Sequence, residues 1–125
     1  RIDPATNAII ATVQVSGGPY GMTFDGTDLW VTNFFTDSVS KVDLATNAVV
    51  GTVVVGDAPH DVAFDGTDIW VTNSLDDSVS IIDRDSMDVS DTIAVGVQPR
   101  GITFDGTNIW IANQGSDYVS KIIPS

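Results

Sequence analysis

The chain writes the same forty residues three times. "FDGTDLWVTN" at 24–33, "FDGTDIWVTN" at 64–73 and "FDGTNIWIAN" at 104–113 set Trp30, Trp70 and Trp110 forty positions apart. Pro19, Pro59 and Pro99 keep that spacing, as do Phe24, Phe64 and Phe104, and Asn33, Asn73 and Asn113. So do Asp37, Asp77 and Asp117, and Ser40, Ser80 and Ser120. Self-similarity at a fixed period constrains architecture more than any local signal, because each copy is one unit that buries its apolar faces on its neighbours. The tail "KIIPS" (121–125) aligns with the head "RIDPA" (1–5), so three periods carry a five-residue overlap.

One copy reads as four strands. "YGMTF" (20–24) runs into "DGTD", an Asp-Gly hairpin signal, and "LWVTN" (29–33) follows. "SVSKVDL" (38–44) alternates up to "ATN", and the β-branched "AVVGTVVV" (48–55) stops at "GDAP". No stretch carries helical periodicity with caps. The acid usage agrees: all 17 acidic residues are Asp, a turn former, and none is the helix former Glu. "LWV" and "AVVGTVVV" are apolar on both sides, so such a sheet is expected to be covered on both faces. Its only available covers are copies of itself. Four-stranded antiparallel sheets stacked radially make a β-propeller, with each Trp filling the gap between blades. The expected fold is therefore all-β: a propeller segment of three four-stranded repeats forming one unit over 1–125. It is circularly offset, with an outer strand at 7–15, repeats at 19–55 and 59–95, and an incomplete repeat at 99–123. Trp30, Trp70, Trp110, Phe24, Phe64 and Phe104 are its expected inter-blade core.

The unit "PHDVAFDGTDIWVTNSLDDSVSIID" resembles the YVTN-repeat β-propellers, whose namesake strand here reads "WVTN" or "WIAN". The resemblance spans essentially the whole chain, including "VDLATNAVVGTVVVGDAP". It implies a secreted or cell-surface location, with the periplasm as the alternative. The chain is more distantly similar to streptogramin lyase propellers, which use a catalytic His and an acidic metal site. It departs from them in having one His and no Glu.

Three repeats fall short of the roughly 4–8 blades of a closed propeller. The start at Arg1 without Met and the "KIIPS" overhang read best as a window of a longer repeat array. The rival reading is head-to-tail strand exchange, in which residues 8–15 complete the 99–123 sheet of a neighbour and two chains make six blades. The partner is thus a protein, a second copy or further repeats. A net charge of −12 argues against nucleic acid and anionic membranes. No apolar run is long enough to span a bilayer. The absence of Cys excludes disulfides and thiol chemistry, and no Asn-x-Ser/Thr sequon occurs.

Comparing the copies with one another separates scaffold from decoration. The "DGT" turns are invariant, and hairpin chemistry explains them. Calcium at Asp25, Asp65 and Asp105 would need six to eight convergent oxygens that this short turn does not supply, so no metal or cofactor is expected. Differences cluster after the Pro, at Tyr20, His60-Asp61 and Arg100, and after the Asn, at Phe34-Phe35, Ser74-Leu75 and Gln114. Both loops lie on one side of a blade. Tyr20, Phe34, Phe35, His60, Asp61, Arg100 and Gln114 are therefore the candidate ligand or partner face at the channel mouth, against a background of drift at exposed positions. Adjacent strand residues point to opposite faces, so His60 and Asp61 do not form a working acid–base pair. The expected role is a structural or interaction module, not an enzyme. The alternatives are a lyase- or hydrolase-like site using His60, and a calcium-dependent adhesive array.

Overall fold

A computed structural model describes residues 1–125. It is all-β, with antiparallel strands and two short 3-10 turns. The first four-stranded sheet comprises β3 (Pro19–Phe24), β4 (Asp28–Asn33), β5 (Ser38–Asp43) and β6 (Ala48–Val54), in chain order. A second repeats it with β7 (Pro59–Phe64), β8 (Asp68–Asn73), β9 (Ser78–Asp83) and β10 (Val89–Ala94). The third has three strands, β11 (Pro99–Phe104), β12 (Ile109–Asn113) and β13 (Tyr118–Ile122). Ahead of them, β1 (Ile2–Asp3) and β2 (Ala8–Ile9) pair as a minimal hairpin. The first strands of neighbouring sheets, β3, β7 and β11, lie side by side, which stacks the sheets face to face around one line. No helix is long and apolar enough to cross a membrane.

The invariant turn has two functions. In each "DGT" the Gly takes a positive φ, between 95° and 98°, which only a residue without Cβ adopts freely. The Asp Oδ1 accepts the N–H groups two and three residues on, while Oδ2 accepts the indole N–H of the Trp five residues on, at 2.7–2.8 Å. Donation from Asn108 N–H, the Trp110 indole and Thr107 N–H brings Asp105 down to about 2. Asp25 is lowered as well: burial opposes the shift, but the same donors outweigh it. One carboxylate thus closes the hairpin and aims the ring.

Two clusters hold the sheets together, each built across an interface. In the first, Trp30, Val39 and Val53 of one sheet meet Val62, Ile69, Val71 and Ile82 of the next, with Phe64 against them. In the second, Trp70 and Val79 meet Ile102, Ile109 and Ile111, with Phe104 against them. The rule is that the Trp of one repeat packs with the Phe of the following repeat. Hydrogen bonds repeat it: Thr32 Oγ1 donates to the His60 carbonyl at 3.1 Å, and Thr72 Oγ1 to the Arg100 carbonyl at 2.9 Å. Asp37 Oδ1 accepts from Ala58 N–H and Asp77 Oδ1 from Gln98 N–H.

This geometry corrects three expectations. Phe24, expected in the core, is 54% exposed, because within residues 1–125 no Trp-bearing sheet lies against it. Trp110 is only half-buried, because within residues 1–125 no sheet packs on its outer side, although its relatives Trp30 and Trp70 are 0% and 3% exposed. Only the middle sheet is covered on both faces. The outer strand expected at 7–15 is reduced to Ala8–Ile9. Residues 11–15 have the right residue types but no strand to pair with.

Candidate functional site

The variable loops are held firmly by the backbone. After β4 the chain makes a 3-10 turn at Phe34–Thr36, ended by Asp37 in the left-handed region at φ 51°. Phe34 and Phe35 N–H groups donate to the Gly18 and Gly17 carbonyls at 2.9 and 3.2 Å. The other copies repeat this with Ser74 and Leu75 on Ala58 and Asp57, and with Gln114 and Gly115 on Gln98 and Val97. Side chains can differ at these positions because the backbone alone fixes the loop. Gly18 takes the left-handed conformation that Ala58 and Gln98 take in the other copies at φ 55° and 51°. Its φ is +71°, and a Cβ there would stand 2.5 Å from the Phe35 ring.

The structure brings together four of the seven candidate residues. The Tyr20 ring lies 4.2 Å from His60 and 5.7 Å from Phe34, centroid to centroid. Phe34 meets Phe35 edge-on at 5.3 Å and His60 at 6.4 Å. The cluster spans two blades, and the Thr32 hydroxyl on the His60 carbonyl fixes their relation. Arg100, exposed on the third blade, is near enough for its charge to act on His60. Gln114 stands apart and exposed.

Asp61 stands apart from the ring cluster, its carboxylate turned to the backbone. Its Oδ1 accepts from Val62 N–H at 2.9 Å and its Oδ2 from Ile102 N–H at 3.2 Å, across the interface. Its carboxylate therefore clamps the second and third blades. What sequence reasoning missed is the role of the invariant polar residues. Thr32 and Thr72 tie neighbouring blades, and Asn33, Asn73 and Asn113 reach across their own sheet to Ser hydroxyls. The forty-residue spacing had marked the Asn and Ser positions, though not their partners.

Burial and the Arg100 guanidinium hold His60 below its ordinary range, with Asp61 opposing. It is therefore neutral at pH 7. A group whose folded pKa is depressed stabilises the fold fully above its unfolded value and loses that contribution as pH falls through the folded one. Thermal midpoints of the wild type should thus fall more steeply below pH 6.5 than those of His60→Gln. Parallel curves would show that His60 is not desolvated.

No protein-family model matches the chain, so the YVTN resemblance gains no family assignment, and no curated protein matches it. Solved structures do. Hydrazine synthase from Kuenenia stuttgartiensis superposes with a TM-score of 0.70 at 29% identity, over 94% of this chain and 40% of that one. Catalytically inactive virginiamycin B lyase from Staphylococcus aureus, with quinupristin, gives 0.74 at 19% identity, over 87% and 38%. AztD from Citrobacter koseri gives 0.71 at 19%, over 82% and 31%. The chain spans less than half the length of each. These neighbours are propellers of varied function, and with the stacked sheets described above they establish the fold: the chain is built of β-propeller blades.

Proposed function

We propose that the chain is a non-catalytic scaffold, a rigid run of blades whose loop face takes up a protein partner through Tyr20, Phe34, Phe35 and His60. One observation carries this reading. The Tyr20, Phe34 and His60 rings, from two blades, lie within 6.4 Å of one another and Phe35 adjoins Phe34, yet Tyr20 and Phe35 stay 63% and 78% exposed. Clustered aromatic residues on a rigid support are the usual anchors of interfaces, giving large contact area at small entropic cost. The strongly acidic surface favours a partner that flanks its apolar contact with basic residues. Against catalysis, both carboxylate oxygens of Asp61 are engaged by backbone, which leaves His60 without an orienting acid. A site outside the cytoplasm follows from the resemblance to secreted repeats.

The test is selection of random peptides displayed on phage against the wild-type chain, followed by surface plasmon resonance. Selected peptides should bind Tyr20→Ala/Phe34→Ala at least about tenfold more weakly, while the variant keeps its circular dichroism spectrum. Equal affinity for both proteins would place the binding surface elsewhere.

A further inference from the structure

The two end faces of the blade stack are unlike, and each matches one half of the interfaces buried between them. On the first sheet, a groove of about 480 Å3 opens between Val13 and the residues Met22, Leu29, Val31 and Val42. One period later, Val53, Val62, Ile69, Val71 and Ile82 surround Trp30 and Val39, all buried. The groove is that frame without its Trp and Val. On the opposite face, the third sheet presents a half-buried Trp110 and a Val119 that is 58% exposed, whereas its equivalents Val39 and Val79 are both at 0%. One face has the frame and the other has the filling.

We propose that the first and third sheets of two copies of this chain dock head to tail, Trp110 and Val119 of one entering the groove of the other. The inference concerns the end faces and is independent of the loop-face reading. Two reciprocal junctions give six blades, inside the roughly 4–8 range in which propellers close, whereas three copies would exceed it. Closure with twofold symmetry is also the commonest oligomeric arrangement.

Backbone register supports the docking. Val39 pairs with Val53 and Ser40 with Thr52, and Val79 pairs with Ile93 and Ser80 with Thr92. The same spacing sets Val119 opposite Val13 and Ser120 opposite Thr12 of the second copy. β13 has β12 on one side only, and residues 11–15 pair with no strand, the Ala11 carbonyl accepting from the Arg1 amino group at 2.8 Å. The exchange therefore gives each a partner.

A buried polar atom points the same way. Asn73 Oδ1 accepts from Gly56 N–H at 3.1 Å, and Asn113 Oδ1 from Gly96 N–H at 3.1 Å. Their equivalent, Asn33 Oδ1, is buried with no partner. By the same spacing its donor is Ser16 N–H, at the end of the unpaired 11–15 segment. Pairing of that segment with β13 of the second copy seats Ser16 and satisfies Asn33.

The overlap at the chain ends is resolved by relative strength. Ile122 would take Ile9 from Ile2, which is held by a two-residue hairpin, whereas β13 is paired along its length. Lys121 would then take the Leu44 carbonyl, now bonded by Arg1, as Lys41 takes that of Arg84. Two clamps are absent at this junction: Ala112 stands where Thr32 and Thr72 donate across the interface, and Gly101 where Asp61 accepts the Ile102 N–H. The junction is thus a weaker version of the internal ones and is reversible.

The experiment is sedimentation velocity on the 125-residue chain from micromolar to millimolar concentration, at or above physiological ionic strength to screen the −12 charge. A species of twice the 13.2 kDa chain mass is expected. Val13→Asp blocks the groove and Val119→Asp the filling, both at positions outside the buried core. Each variant alone should be monomeric, and an equimolar mixture should recover a heterodimer through its one intact junction. Ala112→Thr, which restores a clamp to the Tyr20 carbonyl, should tighten the dimer about 5-fold. Amide exchange of Ser16 should slow in the dimer and stay fast in Val119→Asp. A wild type that is monomeric throughout overturns the proposal and leaves the end faces to further blades. So does a dimer indifferent to both substitutions, or folded single variants that fail to complement.

Discussion

Trp30→Ala should lower the unfolding free energy by about 3–5 kcal/mol, a large share of what a domain of this size possesses. The ring is fully buried between the first and second sheets, against Val62, Ile69 and Val71. Truncation removes the largest side chain of that cluster and leaves a cavity that two stiff sheets cannot close. It also leaves Asp25 Oδ2 without the indole donor and Lys41 without the ring it covers at 5.2 Å. Trp110→Ala removes the same atoms from the same place in a repeat. Its ring has solvent where Trp30 has a second sheet, so the expected cost in the monomer is about 1–2 kcal/mol. Urea unfolding followed by far-ultraviolet circular dichroism measures both at dilution. Equal costs would show that the Trp residues stabilise their own sheets and not the interfaces between them.

That contrast shows what a sequence of this kind discloses. The strands, the hairpin turns and the all-β stacked architecture were legible because they rest on local chemistry repeated three times: Asp-Gly turns, β-branched runs, one large ring per copy. Identical letters do not guarantee identical environments, however. Phe24 and Phe64 are both followed by Asp-Gly-Thr-Asp, and only Phe64 has a Trp from a preceding sheet to lie against. The strand at 11–15 failed for the same reason, since its pairing partner is not within reach. At the loop face, period and topology pointed to Tyr20, Phe34, Phe35 and His60, because two loops on one side of each blade must converge. The structural bond of Asp61 was not legible, because its partner, Ile102 N–H, lies a full repeat away. The polar invariants Thr32, Asn33 and Asp37 announced constraint by their spacing. Their partners are carbonyls, hydroxyls and amides that the alternation of a strand does not identify.

Asn73→Ala should cost about 3 kcal/mol, and Asn33→Ala at least about 1 kcal/mol less, although both residues are wholly buried in matching strands. Asn73 makes three hydrogen bonds: Nδ2 donates to Ser78 Oγ at 3.1 Å and Ser80 Oγ at 2.9 Å, and Oδ1 accepts from Gly56 N–H. Its loss orphans two hydroxyls and an amide at the point where the first sheet hands over to the second. Asn33 makes the two donations, to Ser38 and Ser40, but its Oδ1 has no donor. Truncating it removes a buried unsatisfied oxygen along with the two bonds, so part of the penalty is returned. Thermal and urea unfolding of both variants at low concentration measure the difference. Equal costs there would mean that Ser16 N–H already reaches Asn33 and that the first sheet needs no second copy to complete it. If docking seats Ser16, the two positions become chemically equivalent only in the dimer. Asn33→Ala should then weaken dimerisation as well as folding, and Asn73→Ala should weaken folding alone.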